Sequence, residues 1–356
     1  MSSETEPSAY RLDRGASLDA LRNAPLLELG RRAFDRKRAL CGDRVTYVRN
    51  RHVNPTNLCV YACAFCDFAA KRGDDHAYSL TDDEILAGLA DPSIREAHIV
   101  GGLWPKWGFD RSTALVRRIR AARPDLHIKA FTAVEVAYFA RMEQTDAESV
   151  LREMIDAGVD MMPGGGAEVL SARVHRALYP DKIGPDEWIE IHEKAHCLGL
   201  PSNATLLFGH IETDEEIVDH LLRLRELEDR APGFQSFIPL AYLPGTTRLA
   251  PRPPGAPRCL RIVALARLVL DNVPHVKAYT PTLGVETAAA ALTFGADDLD
   301  GTLGHERIMQ YAGTAAPAAM SARLMDRMIR QAGQTPVERD GVFDPVANAS
   351  PALAAT

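Results

Sequence analysis

The stretch "SNATLLFGHIETDEEIVDHLLRLRELEDRAPGFQSFIPLA", residues 202–241, contains one full unit of the pattern that decides the fold. It opens on a short apolar run, "SNATLLFG". Thr213 follows as a helix N-cap, with Asp214, Glu215 and Glu216 in the first turn, where acids suit the helix dipole. An amphipathic segment runs to Arg230, and a second apolar run, "FQSFIPLA", closes the unit. Two strands joined through a helix lie parallel in one sheet.

The same unit recurs on both sides. Further strand candidates are "VTYVRNRHV" (45–53), "EAHIVGG" (96–102), "HIKAFT" (127–132), "VDMMPG" (159–164), "HVKAYTP" (275–281) and "ADDLDGTL" (296–303). Helical segments lie between them, among them "TDDEILAGLA", capped by Thr81, and "AESVLREMIDAG", ended by Gly158. Eight units in about 260 residues predict a (β/α)8 barrel. An open doubly wound sheet is the alternative. A helical extension precedes the barrel over 1–44, with Ser17 as its N-cap. The barrel is expected over 45–335, with a C-terminal helical segment, and a tail over 336–356. "LAPRPPGAPR" (249–258) reads as a rigid βα loop.

Composition narrows the function classes. The 356 residues are 46% hydrophobic and 25% charged, with a formal net charge of −7. An acidic chain of pI about 5.9 argues against bulk nucleic-acid binding. No apolar run approaches the ~20 residues of a membrane span. "MSSETEPSAYRLDRG" lacks the apolar region of a secretory signal, so a cytoplasmic location is expected. In that reducing compartment clustered cysteines hold metal more often than they form disulfides.

Three of the six cysteines, Cys59, Cys63 and Cys66, crowd into "NPTNLCVYACAFCDF" (54–68) after the first strand. Cys41, Cys197 and Cys259 are scattered and read as single packed or surface thiols. A closed zinc site needs four ligands, for which His52 or His76 could serve as the fourth. The spacing C-x3-C-x2-C suits an iron–sulfur cluster better, with three thiolates and one iron left open. Other unusual stretches also fall at strand ends, where barrels carry their chemistry: "GGLWP", "TAVE", "GGGAE" and "GHIE". A purely structural iron–sulfur or zinc protein would not need them.

C-x3-C-x2-C with an aromatic, Phe65, before its third cysteine resembles the radical S-adenosylmethionine (SAM) enzymes. That resemblance implies a 4Fe-4S cluster on Cys59, Cys63 and Cys66, and SAM bound at the open iron. "VGG", with Gly101 and Gly102, is similar to the superfamily's Gly-Gly element near the SAM ammonium. "LLFGHIE", with Gly209 and Glu212, is similar to its adenine-side G-x-I-x-G-x-x-E region, without the first glycine. "PGGGAE", with Gly164, Gly165 and Glu168, would approach the ribose.

"HIKAFTAVEV", "MPGGGAEVL", "EWIEIHEKAHCLGLPSNATLLFGHIETDEE" and "FGADDLDGTL" resemble the aminofutalosine synthase branch, over about residues 20–345. Its relatives include the cyclase of the same menaquinone pathway and deazaflavin-forming subunits. The branch resemblance implies addition of the adenosyl radical to the enol ether of 3-[(1-carboxyvinyl)oxy]benzoate, then rearrangement and decarboxylation to aminofutalosine. SAM would be a consumed co-substrate, and flavodoxin or ferredoxin the reductant. A dianionic substrate needs donors and cations. The candidates are His210, Asn57, Asn203, Trp104, Arg248 and Lys277, with His210, Glu135 and Asp67 as the catalytic group. Two positions depart from the branch pattern. Asp67 stands where alanine is expected, and "LWPKWGF" with Trp104 and Trp107 stands where His-Pro is expected. They leave open a paralogue that acts on a different unsaturated acceptor.

Overall fold

The computed structural model describes residues 11–247, 249–250, 252–317 and 319–346. Two helices precede the sheet, α1 (Arg14–Arg22) and α2 (Leu26–Cys41). Asp13, not Ser17, caps α1. Its carboxylate accepts the Ala16 N–H, while Ser17 is buried inside the helix. The helix breaks before Pro25, which has no N–H to continue the ladder, so the extension is two helices rather than one.

The strands follow in the expected order. β1 runs Arg44–Val48 and continues as Asn50–Val53. Next come β2 (Glu96–Ile99), β3 (His127–Ala130) and a two-residue β4 at 161–162. β5 (Ser202–Phe208), β6 (Phe234–Ala241), β7 (His275–Val276) and β8 (Asp298–Gly301) complete the set. All pairings among them are parallel. β1 pairs β2 and β2 pairs β3. Lys129 bridges Met161, and Met162 bridges Ser202. β5 pairs β6 and β6 pairs β7. Lys277 bridges Asp298, and β8 returns to β1. The ring closes, which excludes the open sheet. The seventh strand is shorter than its sequence run, because Thr280–Leu283 turns into a helical segment.

A ninth strand corrects the C-terminal boundary. After the helix Ala322–Gln331, β9 (Thr335–Arg339) pairs in parallel with the first half of β1. β2 pairs only with the second half of β1, so β9 fills the vacant place at the lower end. The expected tail from 336 therefore begins inside a strand.

Thr81, Thr132 and Thr213 each close a capping box with the glutamate three residues on. These caps fix where each helix leaves its strand, and so where each βα loop sits. No helix of the described residues is long and apolar enough to cross a membrane.

The lower interior of the barrel is ionic as well as apolar. Lys129–Glu96 (2.7 Å), Lys277–Asp300 (2.6 Å) and Arg339–Asp298 (2.6 Å) are all buried pairs. Burial alone would raise the Glu96 carboxyl, but Lys129, with Lys277 and Arg339 behind it, holds it well below its ordinary range.

Candidate active site

A cavity of about 320 Å³ opens among the C-terminal strand ends. Cys59, Cys63 and Cys66 line it together, from the loop after β1. Backbone bonds set the loop. The Cys59 N–H donates to the Ala70 carbonyl (3.1 Å), and the Cys66 N–H to the Cys63 carbonyl (3.2 Å). The Lys71 ammonium donates to the carbonyls of Cys59 and Tyr61, each at 2.8 Å. The loop is therefore clasped without help from the thiols.

All three thiols are free and half-buried. Burial pushes Cys63 up to about 12, against the pull of nearby Lys182, and raises Cys66 as well. Such thiols stay protonated unless a metal takes the proton's place. Among the described residues, no three His, Cys, Asp or Glu side chains converge on one metal ion. His52 lines the same cavity as the three cysteines, and His76 does not. Three cysteines in one cavity wall are the donor set of a cluster that leaves one iron open.

The glycine pair serves this loop. A Cβ on Gly102 would lie 2.2 Å from the Leu58 carbonyl oxygen, and the Gly102 N–H donates to Thr56 (2.8 Å). Gly102 thus packs behind the cysteine loop, while Gly101 lines the cavity. Gly164 and Gly165 line it too, and a Cβ on Gly164 would meet the Asn203 carbonyl oxygen at 2.3 Å. Glu168 has left-handed backbone (φ 46) and pairs with Lys182 at 2.5 Å. The Lys182 ammonium also lies 5.2 Å from the Phe65 ring centroid. Phe65, Glu168 and Lys182 therefore form one wall beside Cys63. Lys182 has no motif around it in "YPDKIG", and only the fold brings it here.

Asp67 and Asn203 also reach the cavity. Asp67 accepts from the Thr246 N–H (3.1 Å) and hydroxyl, which ties the cysteine loop to the loop after β6. Asn203 accepts from the Ser236 hydroxyl (2.8 Å).

Other candidates are placed elsewhere. His210 is held inside its own loop. Its Nε2 bonds the Leu207 carbonyl (3.0 Å), and Nδ1 accepts the Ile211 N–H (2.7 Å). Glu212 takes the N–H groups of Gly209 (2.6 Å) and His210 (2.9 Å), so that carboxylate closes the turn. Gly209, His210 and Glu212 are not among the lining residues. Asn57 binds the His76 carbonyl and the Tyr78 N–H and stays in the loop interior. Trp104 does not line the cavity, and Trp107 bonds Ser79 under Arg111, away from it. The aromatic departure from the branch pattern is thus outside the chamber. Arg248 lies outside the described residues.

Glu135 is in the cavity wall and also closes the capping box of its helix, accepting the Thr132 N–H at 2.7 Å. Burial raises its carboxyl to about 7, against the pull of the Thr132 and Gly101 N–H groups. Glu306 is raised to about 7 by the same cause, from the loop after β8. Either group can hold or release a proton near neutrality. The sign for stability follows from the raised value. The Glu135 contribution is complete below its ordinary value of 4.5 and is lost as pH rises through about 7. Glu135→Gln keeps the capping box and removes the charge. The stability of wild type minus variant, from urea titrations, should fall by on the order of 3 kcal/mol between pH 4.5 and 7.5. A flat difference would mean that Glu135 is not buried as described.

Residues 53–224 match the family described as the radical SAM superfamily, and residues 231–351 match the CofH/MqnC C-terminal region. The aminodeoxyfutalosine synthase of Thermus thermophilus is 41% identical over 85% of this chain and 83% of its own. The chain belongs to the radical SAM superfamily. A second relative, the 5-amino-6-(D-ribitylamino)uracil–L-tyrosine 4-hydroxyphenyl transferase of Methanopyrus kandleri, is 35% identical over 94% of both chains. Among solved structures, methylornithine synthase superposes with a TM-score of 0.70 at 17% identity, over 92% of this chain and 95% of that one. The hydrogenase maturase HydG of Carboxydothermus hydrogenoformans gives 0.71 at 16%, over 94% and 77%. At those identities the likeness is one of fold. The chain is a radical SAM enzyme, with a radical-SAM-type α/β barrel carrying helical extensions at both ends.

Proposed function

We propose that this enzyme adds a 5′-deoxyadenosyl group to an unsaturated aryl acceptor, with the enol ether of 3-[(1-carboxyvinyl)oxy]benzoate as the first candidate. The observation that carries the reading is the combination of surfaces in one cavity. Three thiols and the Phe65–Glu168–Lys182 wall lie at the strand ends. Apolar Val134, Leu207, Ile238 and Leu240 line the same cavity, as do the polar side chains of His52, His98, Lys129 and Asn203. That combination suits a nucleoside together with an aryl ring that carries an acidic group.

A cluster on Cys59, Cys63 and Cys66, with SAM, would supply the adenosyl radical. The chain's own residues do the rest. Gly101, Gly164 and Gly165 let backbone come close to the nucleoside, and Glu168 offers acceptors to its hydroxyls. Lys182 offers a buried cation beside that wall. The apolar side chains orient the aryl ring and exclude water. Glu135 and Glu306 hold protons near neutrality. Asp67 fixes the loop after β6 against the cysteine loop and so sets the width of the mouth.

A second reading has its own support. The C-terminal family match and the Methanopyrus relative favour transfer of a 4-hydroxyphenyl group from L-tyrosine to 5-amino-6-(D-ribitylamino)uracil. One anaerobic experiment separates the two. Reconstituted, reduced protein is given SAM with either substrate set, and products are read by mass spectrometry. An adenosyl adduct of the enolpyruvyl benzoate less one carboxyl group is expected. A hydroxyphenyl–diaminouracil product would replace the first reading by the second, and 5′-deoxyadenosine alone from both sets would reject both.

A further inference from the structure

Two imidazoles line the cavity from neighbouring strands. His52 on β1 and His98 on β2 are register partners, and Lys129 on β3 is the next in the same row. The two rings are 4.6 Å apart, centroid to centroid, and tilted by 50°. His52 is 5% exposed, yet neither of its ring nitrogens has a hydrogen-bond partner among the described residues. Buried polar groups are nearly always paired, so a ring in a cavity wall with both nitrogens unmet lacks partners that a ligand would supply.

The charges around the pair already cancel. Lys129 (β3) is bound to Glu96 (β2), Lys277 (β7) to Asp300 (β8), and Arg339 (β9) to Asp298 (β8). Burial pushes His52 down to about 4. Lys129 and Lys277 add to that effect, and Asp300 and Glu96 oppose it. His98 is held well below its ordinary value by burial, then by Lys129 and His52. Both rings are therefore neutral before anything binds. No ammonium or guanidinium here is free to balance an incoming anion.

We propose that His52 and His98 form the subsite for a carboxyl group carried on the aromatic substrate, and that this group is received together with one proton. The inference rests on the preceding reading of the cavity as the substrate chamber. Two rings side by side match the two oxygens of a carboxyl group, whereas a single hydroxyl would leave one ring unpaired. An entering carboxylate brings one negative charge into a neutral pocket. A proton taken up from solvent onto one imidazole restores neutrality, and the second imidazole donates its N–H to the other oxygen.

Proton uptake gives the site a measurable signature. Above the free value of His52, affinity for a carboxylate should fall by up to ~10-fold per pH unit, until the pH exceeds the value His52 reaches in the complex. Glu135 and Glu306 line the same cavity and could also gain a proton when an anion enters, so the test must separate them.

The test is titration calorimetry on the anaerobically reconstituted, unreduced protein with SAM present. The probe is 3-hydroxybenzoate, with 3-hydroxybenzamide as its neutral counterpart. Runs in phosphate and in Tris at pH 7.5 count the protons. We expect close to one proton taken up with the benzoate and close to none with the benzamide. In His52→Gln/His98→Gln the uptake should vanish and the benzoate should bind at least 10-fold more weakly, while the benzamide changes less than 3-fold. Uptake that persists in the double variant overturns the proposal and assigns the proton to the glutamates. Benzoate binding without uptake in the wild type, or no binding at millimolar probe, overturns it as well. If the double variant does not fold, the wild-type proton count and its pH dependence still decide. No electron transfer or SAM cleavage enters this measurement, so failure of the proposed reaction and failure of the subsite remain distinguishable.

Discussion

Cys63→Ala should retain the barrel and lose 5′-deoxyadenosine formation by at least ~10³-fold, a fraction of the 10⁶ or more that enzymes commonly supply. Cys63 lies outside the strands and helices, in a loop held by backbone bonds and by Lys71. Its thiol, pushed up to about 12 by burial, is neutral without a metal and packs as a small apolar group. Alanine therefore removes little from the protein without metal. It removes one of the three thiolates that the cluster reading assigns to iron. Iron and sulfide content, thermal melts by circular dichroism and chromatographic detection of 5′-deoxyadenosine give the three readouts. Loss of the barrel signal would make the cysteines a structural site. Full SAM cleavage by the variant would remove Cys63 from the cluster.

Arg339→Met should cost about 3–5 kcal/mol of stability, the range for breaking one side of a buried ion pair. The guanidinium is fully buried and holds both oxygens of Asp298, at 2.6 and 3.2 Å. Without it, the buried Asp298 carboxylate keeps the Thr46 hydroxyl at 2.6 Å and the Lys277 ammonium at 3.8 Å. Urea unfolding followed by circular dichroism measures the change. Asp298→Asn in the same chain should recover part of the loss, because it removes the uncompensated charge. A cost below about 1 kcal/mol, the value of an exposed pair, would place β9 outside the barrel core.

The sequence alone determined the order of the architecture. Eight apolar runs separated by amphipathic segments report local chemistry: strand propensity, helix periodicity and caps such as Thr81 and Thr213 that act within four residues. The cysteine loop stands out in sequence for the same reason, since its three cysteines lie within eight positions. Residues whose role depends on distant partners were less legible. Glu135 reads as a strand-end carboxylate, but its value near neutrality comes from burial that no local pattern reports. His210 sits in a suggestive loop, and the fold turns its ring back onto that loop's own backbone.

Tertiary structure decided the chamber. His98 and Lys129 were visible only as polar residues inside the strand runs "EAHIVGG" and "HIKAFT". Strand register turns them, with His52, into one row across three strands. Lys182 meets Glu168 because the helix Ala172–Leu178 folds back between them. β9 looked like a tail, because "TPVER" has no apolar run of its own. Its place comes from the vacant edge of β1 and from Asp298, more than 40 residues away in the chain, which needs a cation. Secondary structure follows from neighbours in sequence. Charge compensation and cavity lining follow from neighbours in space, which only closure of the barrel creates.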